Sequence, residues 1–342
     1  PKGHDSKIRR KAMNKFSKIT AAIAFWSGIA LSAAVLCSGT FAAAETNTAA
    51  AFKIEERSFQ RNGMKIYGEL FIPDRASPVP LVILAHGFGG NRGGVKSYAK
   101  VFAERGIAAY IFDFIGGGEH IKSDGKMTEM SVLTEAEDLI VILDNLKTDA
   151  RFKAEQIFLF GESQGGFVST YVAALRPADV AGLVLLYPAF VLHDYVRRRT
   201  PDPERIPDTM KLLGKTVGRI YNKDVLSFDI YTLMPQYSGR TLIIHGTDDS
   251  IVPLSYSERA IKTFPNAKLI KLDGEKHVFY GNAMQKAGIE AIKFVQSIID
   301  EKSAISFCSS SSFFSIWKKA MPYSLPIILQ SWSCLQLAHI TV

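Results

Sequence analysis

The sequence predicts an α/β fold in which helices cover both faces of a mostly parallel central sheet. Between residues 53 and 302, short apolar runs alternate with amphipathic stretches of helical period. Runs of four to eight apolar residues are typical of strands that are buried on both faces. Regular alternation of such strands with helices favours parallel strands joined by helical crossovers.

The elements follow in a regular order along the chain. A half-buried hairpin is predicted at residues 53–60 and 65–72, and buried strands at 81–85, 108–112, 156–160, 182–187, 241–244 and 268–272. Helices are predicted at 98–105, 134–147, 167–175, 254–264 and 283–299. Residues 190–237 contain no strand signal, and we expect them to form an insertion over the carboxyl edge of the sheet, called here the lid segment.

The net charge of +8 does not indicate a partner of opposite charge. Residues 1–44 carry seven basic side chains and one acidic one, and residues 303–342 carry two basic ones. The predicted domain at 45–302 therefore holds 32 side chains of each sign, which gives no indication of nucleic-acid binding. Its lack of cysteine excludes a disulfide, a thiolate nucleophile and a cysteine-ligated metal within the domain.

Residues 13–44 have the pattern of a secretory signal peptide. Lys15 and Lys18 precede an apolar stretch at residues 19–36, and alanines 42–44 offer a cleavage site. This pattern predicts a secreted or periplasmic protein with no stable membrane span after cleavage. An uncleaved anchor is the alternative, because the stretch is nearly long enough to cross a bilayer. Lipid attachment at Cys37 is disfavoured, because a bulky leucine precedes it.

The two ends of the chain show no pattern of a folded unit. Residues 1–12 precede the plausible start at Met13, and residues 303–342 have no clear period. We expect the latter to be a poorly ordered C-terminal tail.

Ser163 lies at the centre of the most informative motif. The apolar run at 157–160 enters Gly161-Glu162-Ser163-Gln164-Gly165, and a helix pattern follows at once. This is the G-x-S-x-G pattern of a nucleophile on a sharp strand-to-helix turn. The glycines let strand and helix approach closely. A chance glycine-rich turn is the alternative, but the context predicts that Ser163 is a nucleophile.

His277 is the predicted general base. A serine needs a base to take its proton, and in this strand–turn–helix context the base follows the nucleophile in the chain. Within the predicted domain at 45–302, three histidines do so. His245 ends a strand and is expected to be buried, while His193 begins the lid segment. His277 lies between the last predicted strand and the last helix, where the base is expected.

Two neighbouring aspartates compete for the role of the acid that orients the base. Asp248 and Asp249 both lie in the loop after the strand at 241–244. We predict Asp249, three residues after the Gly of the His-Gly pair, as the acid that fixes the imidazole tautomer. Asp248 is then a turn residue.

A glycine-rich loop after the strand at 81–85 is the predicted oxyanion hole. It reads His-Gly-Phe-Gly-Gly-Asn from residue 86. The N–H groups of Phe88 and Gln164 are the expected donors. A phosphate-binding loop would require a Gly-Lys-Ser/Thr ending, which is absent. The glycines at 116–118 are expected to form a turn past the site, with His120 beside it in solvent.

Together these motifs resemble those of bacterial cinnamoyl and feruloyl esterases of the α/β-hydrolase superfamily. The likeness covers residues 53–300 in order and is carried by HGFGGNR, FDFIGGG, GESQGG, IHGTDDSIVP and GEKHVF. The resemblance implies the α/β-hydrolase fold and cleavage of hydroxycinnamate esters through an acyl-enzyme on Ser163. It also implies that Asp194 and Tyr231 in the lid segment contact the phenolic hydroxyl of the substrate. Two departures are Glu162, where the family usually has histidine, and a longer loop after FDF.

The expected protein is thus a serine carboxylester hydrolase acting on a small-molecule ester, with no metal or organic cofactor. A serine peptidase or amidase on the same scaffold is the first alternative, and a non-catalytic binding protein is the second. The arginines at 197–199 are expected to form a solvated face of the lid segment, or alternatively to contact an acidic sugar.

Overall fold

The computed structural model describes residues 50–76, 78–200 and 202–310. The predicted signal peptide and residues 311–342 of the predicted tail lie outside this part of the chain. The strands are β1 Phe52–Glu56, β2 Phe59–Arg61, β3 Met64–Ile66, β4 Gly68–Pro73, β5 Val79–Ala85, β6 Ala108–Phe112, β7 Phe152–Glu162, β8 Gly182–Leu186, β9 Thr209–Leu212, β10 Lys215–Gly218, β11 Thr241–Gly246 and β12 Ala267–Leu272. The helices are α1 Lys96–Glu104, α2 Val132–Lys147, α3 Gln164–Leu175, α4 Leu192–Arg199, α5 Arg219–Leu226, α6 Ile230–Leu233, α7 Ser255–Thr263 and α8 Gly281–Ser310, with short 3-10 helices at Pro203–Arg205 and Met234–Gln236.

Eight strands form the central sheet in the order β1-β4-β6-β5-β7-β8-β11-β12. The six strands from β6 to β12 in this order run parallel, and β4 and β1 continue the sheet antiparallel. The predicted mostly parallel sheet is therefore confirmed. The predicted hairpin is more divided than expected, because β1 pairs with β4 while β2 and β3 form a separate tight hairpin.

Alternate residues of the central strands enter two separate apolar cores. In β5, Leu81 and Ile83 face one core, and Val82 and Leu84 face the other, as the period of two in a strand requires. Helices α1 and α8 cover one face. Helices α2, α3 and α7 cover the opposite face together with the lid segment. Each helix buries its apolar stripe against the sheet, so the fold is a three-layer α/β/α arrangement.

The lid segment contains more structure than its sequence indicated. It holds α4, α5, α6 and the two-stranded sheet of β9 and β10, where no strand was expected. Leu213 and Gly214 join these strands with φ of 47° and 80°. A two-residue turn of this kind is usually Asn-Gly or Asp-Gly, so Leu-Gly concealed the hairpin. At the C-terminal end, the sequence-based boundary at residue 302 falls inside α8, which continues to Ser310.

A close approach of α3 to β5 makes one glycine irreplaceable. A Cβ added at Gly165 would lie 2.4 Å from the carbonyl oxygen of Ala85 and 2.5 Å from that of His86. Neither backbone oxygen can move without displacing the strand. We expect Gly165→Ala to lower the free energy of unfolding by about 2–4 kcal/mol, measured by urea denaturation.

Gly288→Ala is the matched control for this substitution. Its added Cβ would make an ordinary contact, 3.6 Å from the ring of Tyr98, in the middle of α8. Alanine favours helix over glycine by about 1 kcal/mol, so this variant should be at least as stable as the parent. Equal losses in both variants would contradict the packing argument.

Candidate active site

Ser163 occupies a strained turn between β7 and α3. Its φ of 49° and ψ of −114° lie where non-glycine residues are rarely found. The backbone is held there on both sides: the Ser163 N–H donates to the Leu186 carbonyl at 2.9 Å, and the N–H of Ala189 donates to the Ser163 carbonyl at 2.9 Å. The turn therefore raises the hydroxyl above the carboxyl edge of the sheet in one fixed direction.

The structure brings together the three side chains predicted from sequence. Ser163 Oγ lies 2.9 Å from His277 Nε2, and His277 Nδ1 lies 2.7 Å from Asp249 Oδ2. Because a carboxylate only accepts hydrogen bonds, these partners assign the proton to Nδ1 and leave Nε2 free to accept from the serine hydroxyl. This is the arrangement that removes a proton from a serine nucleophile.

Two loops carry Asp249 and His277, and the backbone ties the loops together. Asp249 follows β11, and His277 follows β12, the strand paired with β11. The N–H of Asp248 donates to the Glu275 carbonyl at 3.0 Å. The Asp248 side chain is exposed, and its backbone N–H joins the two loops. The side chain of Asp249 enters the site instead.

Asp249 is held as a carboxylate by several donors. Oδ1 accepts the N–H groups of Ile251 and Val252 at 2.9 and 2.8 Å. Burial alone would raise the pKa of Asp249, but hydrogen bonds from His245, His277 and Val252 outweigh it and hold the pKa well below its usual value. The acid therefore stays charged and stabilises the imidazolium that forms when the base takes a proton.

His245 contacts the same carboxylate from behind. It is fully buried, and its Nε2 lies 3.0 Å from Asp249 Oδ2 and 2.9 Å from the Val252 carbonyl. Both partners are acceptors, so Nε2 carries the proton, and Nδ1 accepts from Ser257 Oγ at 2.7 Å. The sequence excluded His245 as the base but did not show that it shares an oxygen of Asp249 with His277.

Phe88 and Gln164 lie beside the nucleophile as predicted for oxyanion donors. The Gly87 backbone is so close that an added Cβ would lie 3.2 Å from Ser163 Cβ. Within residues 50–76, 78–200 and 202–310, no hydrogen-bond acceptor engages the backbone N–H of Phe88 or Gln164. The N–H of Gln164 lies at the N-terminus of α3 and that of Phe88 in the loop after β5, and two such donors suit a developing negative charge.

His86, buried at the end of β5, holds this loop in place. Its Nδ1 donates to the Gly87 carbonyl at 2.8 Å, and its Nε2 accepts the Phe114 N–H at 3.2 Å. The glycine cluster at 116–118 lies alongside the loop, since the Gly89 N–H donates to the Gly117 carbonyl at 3.1 Å. His86 was not singled out from the sequence, where only its position before Gly87 could have marked it.

A cavity of about 240 Å³ opens beside Ser163. Its walls come from the oxyanion loop, the start of α3, the lid segment and the loop after Asp249, and none of its lining residues is charged. The lining residues are Phe88, Ser163, Gln164, Ala189, Val191, Leu192, Tyr195, Leu212, Leu213, Tyr221, Ser250, Ile251 and Val252. The site thus offers an apolar space with few polar groups, which is typical of pockets for organic ligands.

Asp194 and Tyr231, the predicted substrate contacts, do not line this cavity. The Tyr231 hydroxyl donates to the Tyr256 carbonyl at 2.7 Å, and the Tyr256 hydroxyl donates to Asp194 Oδ2 at 3.0 Å. Their polar atoms therefore bind the lid segment to α7. Tyr195, next to Asp194, has its side chain in the cavity wall instead.

The other singled-out side chains lie away from the catalytic atoms. His120 is exposed, and the arginines at 197–199 are exposed at the end of α4, where Arg199 donates to the Tyr195 hydroxyl. Among the described residues there is no cluster of side chains that could hold a metal ion. No helix in this part of the chain is long and apolar enough to cross a membrane.

Glu162, which replaces the usual histidine, lies buried under the nucleophile. Its Oε1 accepts from the Tyr187 hydroxyl at 2.9 Å, and the Tyr187 ring packs 4.9 Å from the His277 ring. Burial raises the pKa of Glu162 to about 7, despite the hydrogen bond from Tyr187. Glu162 thus holds Tyr187 in place, and the Tyr187 ring packs against the ring of His277.

Known proteins are similar to this chain in sequence and in fold. The Hydrolase_4 family model, described as serine aminopeptidase S33, matches residues 76–230. The chain is 27% identical over 261 residues to uncharacterized protein YfhR of Salmonella typhimurium, covering 71% of this chain and 81% of that protein. It is 29% identical over 188 residues to the monoacylglycerol lipase of Mycolicibacterium smegmatis, covering 54% and 63%. The structure of Est1E from Butyrivibrio proteoclasticus with bound ferulic acid superposes with a TM-score of 0.65 and 25% identity, covering 71% of this chain and 99% of Est1E.

The fold and the relatives together define a serine hydrolase with esterase and lipase homologues. The chain has the α/β-hydrolase fold, and it is similar in sequence and structure to Est1E.

His245→Ala should slow the reaction of Ser163 with a fluorophosphonate probe by about ten- to a hundredfold, because a hydrogen bond to a charged group is worth about 1.5–3 kcal/mol. His245→Gln keeps an N–H donor and should recover most of the rate. An unchanged labelling rate in His245→Ala would contradict this role.

Glu162→Gln should flatten the pH dependence of stability. The pKa of Glu162 rises from 4.5 to about 7 on burial, so between these values the folded protein holds a proton that the unfolded chain releases. Stability therefore falls as pH rises through this window, by about 3 kcal/mol in total at about 1.4 kcal/mol per pKa unit. The amide in Glu162→Gln does not ionise, so this part of the pH dependence should be lost. Chemical denaturation at pH values above and below the window measures the change in the free energy of unfolding.

Exposed Glu129 offers the control for this measurement, as Glu129→Gln should leave the slope unchanged. Part of the decline persists in Glu162→Gln, because burial also raises the pKa of Asp138 to about 6 despite its hydrogen bond from Arg61. An unaltered slope in Glu162→Gln would show that Glu162 is ionised in the folded protein.

Proposed function

We propose that this protein hydrolyses carboxylic esters of small aromatic acids through an acyl-enzyme on Ser163. The observation that carries the proposal is the hydrogen-bonded series from Ser163 Oγ through His277 to Asp249, which opens on an uncharged apolar cavity. A nucleophile, its base and the orienting acid stand within hydrogen-bond reach of one another, as acyl transfer requires.

The proposed reaction has two halves. Ser163 Oγ attacks the ester carbonyl carbon while His277 Nε2 takes the hydroxyl proton, and the carbonyl oxygen becomes an oxyanion that accepts from the N–H groups of Phe88 and Gln164. When the intermediate collapses, the C–O bond to the alcohol breaks and His277 gives the leaving oxygen its proton. Water then repeats these steps on the acyl-enzyme and releases the acid.

The cavity supports a small acyl group. Its volume of about 240 Å³ lies below the roughly 300–1,000 Å³ of pockets for drug-sized ligands, so a single aromatic ring suits it better than a long lipid chain. Aromatic walls at Phe88, Tyr195 and Tyr221 favour a planar group. Similarity to Est1E, whose structure holds ferulic acid, supports hydroxycinnamate esters in particular.

Aminopeptidase activity is the second candidate, because the matching family model carries that description. An aminopeptidase must bind the free ammonium group of its substrate, and a buried ammonium requires a charged or strongly polar partner. The cavity lining contains no carboxylate, which favours the ester. A protein that only binds ligands is disfavoured, because it would have no need of the base and acid aligned on Ser163.

We also propose that the protein is exported, as a secreted or periplasmic enzyme. This proposal rests on the order of segments in residues 13–44, where a positively charged start is followed by an apolar stretch and then by small residues, as in a secretory signal peptide.

Purified protein should release p-nitrophenol from short acyl esters and hydrolyse methyl ferulate, and it should cleave leucine p-nitroanilide far more slowly. Ser163→Ala should reduce kcat by at least about a thousandfold, because the nucleophile is lost while binding remains. Ser169→Ala is the control, since this serine lies buried on the same helix without a hydrogen-bond partner. Full activity in Ser163→Ala, or faster cleavage of the anilide than of the esters, would overturn the proposal.

A further inference from the structure

Both polar ends of the Gln164 side chain have hydrogen-bond partners in the protein. This side chain is buried, and its two polar atoms have partners on opposite sides. The Tyr221 hydroxyl donates to Gln164 Oε1 at 2.6 Å, and Gln164 Nε2 donates to Glu135 Oε2 at 2.8 Å. Each end of the amide thus makes one hydrogen bond to a buried protein side chain. These two hydrogen bonds hold the side chain of the residue whose backbone N–H is a proposed oxyanion donor.

Tyr221 touches both residues of the proposed oxyanion hole. Besides its hydrogen bond to Gln164, its ring meets the ring of Phe88 edge to face, with centroids 5.8 Å apart. Tyr221 lies on α5 and is completely buried. One lid-segment side chain thus packs on the first donor residue and hydrogen-bonds to the second, although 57 residues separate it from Gln164.

Glu135 anchors the other end of this contact from α2. It is buried, and burial raises its pKa well above its usual value despite the hydrogen bond from Gln164. Its Oε1 is close to the oxyanion loop, because a Cβ added at Gly117 would lie 3.3 Å from Oε1 and 3.3 Å from His86 Cε1. Glu135 thus lies between Gln164 and the backbone that supports the loop of Phe88.

We propose that Tyr221 and Glu135 are positioning residues that clamp Gln164, so that the lid segment helps to assemble the oxyanion hole. This inference rests on the proposed ester hydrolysis at Ser163. It assigns the lid segment a part in catalysis as well as in shaping the cavity. The donors are aligned for the transition state, so the clamp should affect turnover more than ground-state binding.

Tyr221→Phe removes the hydroxyl and keeps the ring against Phe88. We expect kcat for p-nitrophenyl esters to fall about tenfold with KM changed less than about twofold, since removal of a whole oxyanion donor costs about 10²–10³. Affinity for a trifluoromethyl ketone, which forms a tetrahedral adduct with the serine, should fall in parallel with kcat.

Tyr237→Phe is the matched control. Tyr237 is also completely buried, and its hydroxyl donates to the Val180 carbonyl at 3.2 Å, away from the catalytic atoms. It should lose stability like Tyr221→Phe and keep the parent kcat. On the other side of Gln164, Glu135→Gln retains an acceptor and should keep most of the activity, whereas Glu135→Met should lower kcat as Tyr221→Phe does.

The outcomes separate this inference from the proposed function. Equal kcat in Tyr221→Phe and Tyr237→Phe would overturn the clamp while leaving ester hydrolysis intact. A change in KM alone would also overturn it, because the Tyr221 hydroxyl would then affect substrate binding and not turnover. If the parent protein neither hydrolyses esters nor reacts with a fluorophosphonate, the proposed function itself fails.

Discussion

The site depends on one strained residue between a buried strand and a helix. Ser163 has a φ of 49°, a backbone conformation that costs about 1–3 kcal/mol for a residue other than glycine. The packing of the surrounding fold offsets this cost and holds the turn in place. Two glycines are in tight contact there, since a Cβ added at Gly161 would lie 2.4 Å from the Gly165 carbonyl oxygen. Because β7 and β5 are central and buried, the strain cannot relax without opening the sheet.

The buried acids around this turn are separated by their environments into charged and neutral groups. Asp249 receives N–H donors from the backbone and two imidazoles, which hold its pKa low. Glu135 and Glu162 each accept only one side-chain hydrogen bond, too little to offset burial, so the pKa of each rises. One carboxylate is therefore charged beside the base, while burial favours the neutral form of the other two.

The sequence predicted the elements whose patterns are local and left out the contacts that join distant segments. Ser163 and His277 were identifiable because each stands in a short motif at a strand end, and parallel strands bring their carboxyl ends to one edge. The hydrogen bond from Tyr221 to Gln164 has no local pattern, since it depends on how the lid segment folds back. The positions of two neighbouring residues on α4 have the same origin: Tyr195 lines the cavity, whereas Asp194 accepts a hydrogen bond from Tyr256 on α7.

This division has a consequence for how substrates are selected. The reacting groups come from loops fixed by the central sheet, whereas Val191, Leu192, Leu212 and Leu213 bring much of the apolar wall from the lid segment. Changes in those apolar positions alter the shape of the cavity without touching the hydrogen bonds of the nucleophile and base. Changes on α5 are different, because Tyr221 is both cavity wall and partner of Gln164. Specificity and rate are thus separable in most of the lid segment and coupled at this one helix.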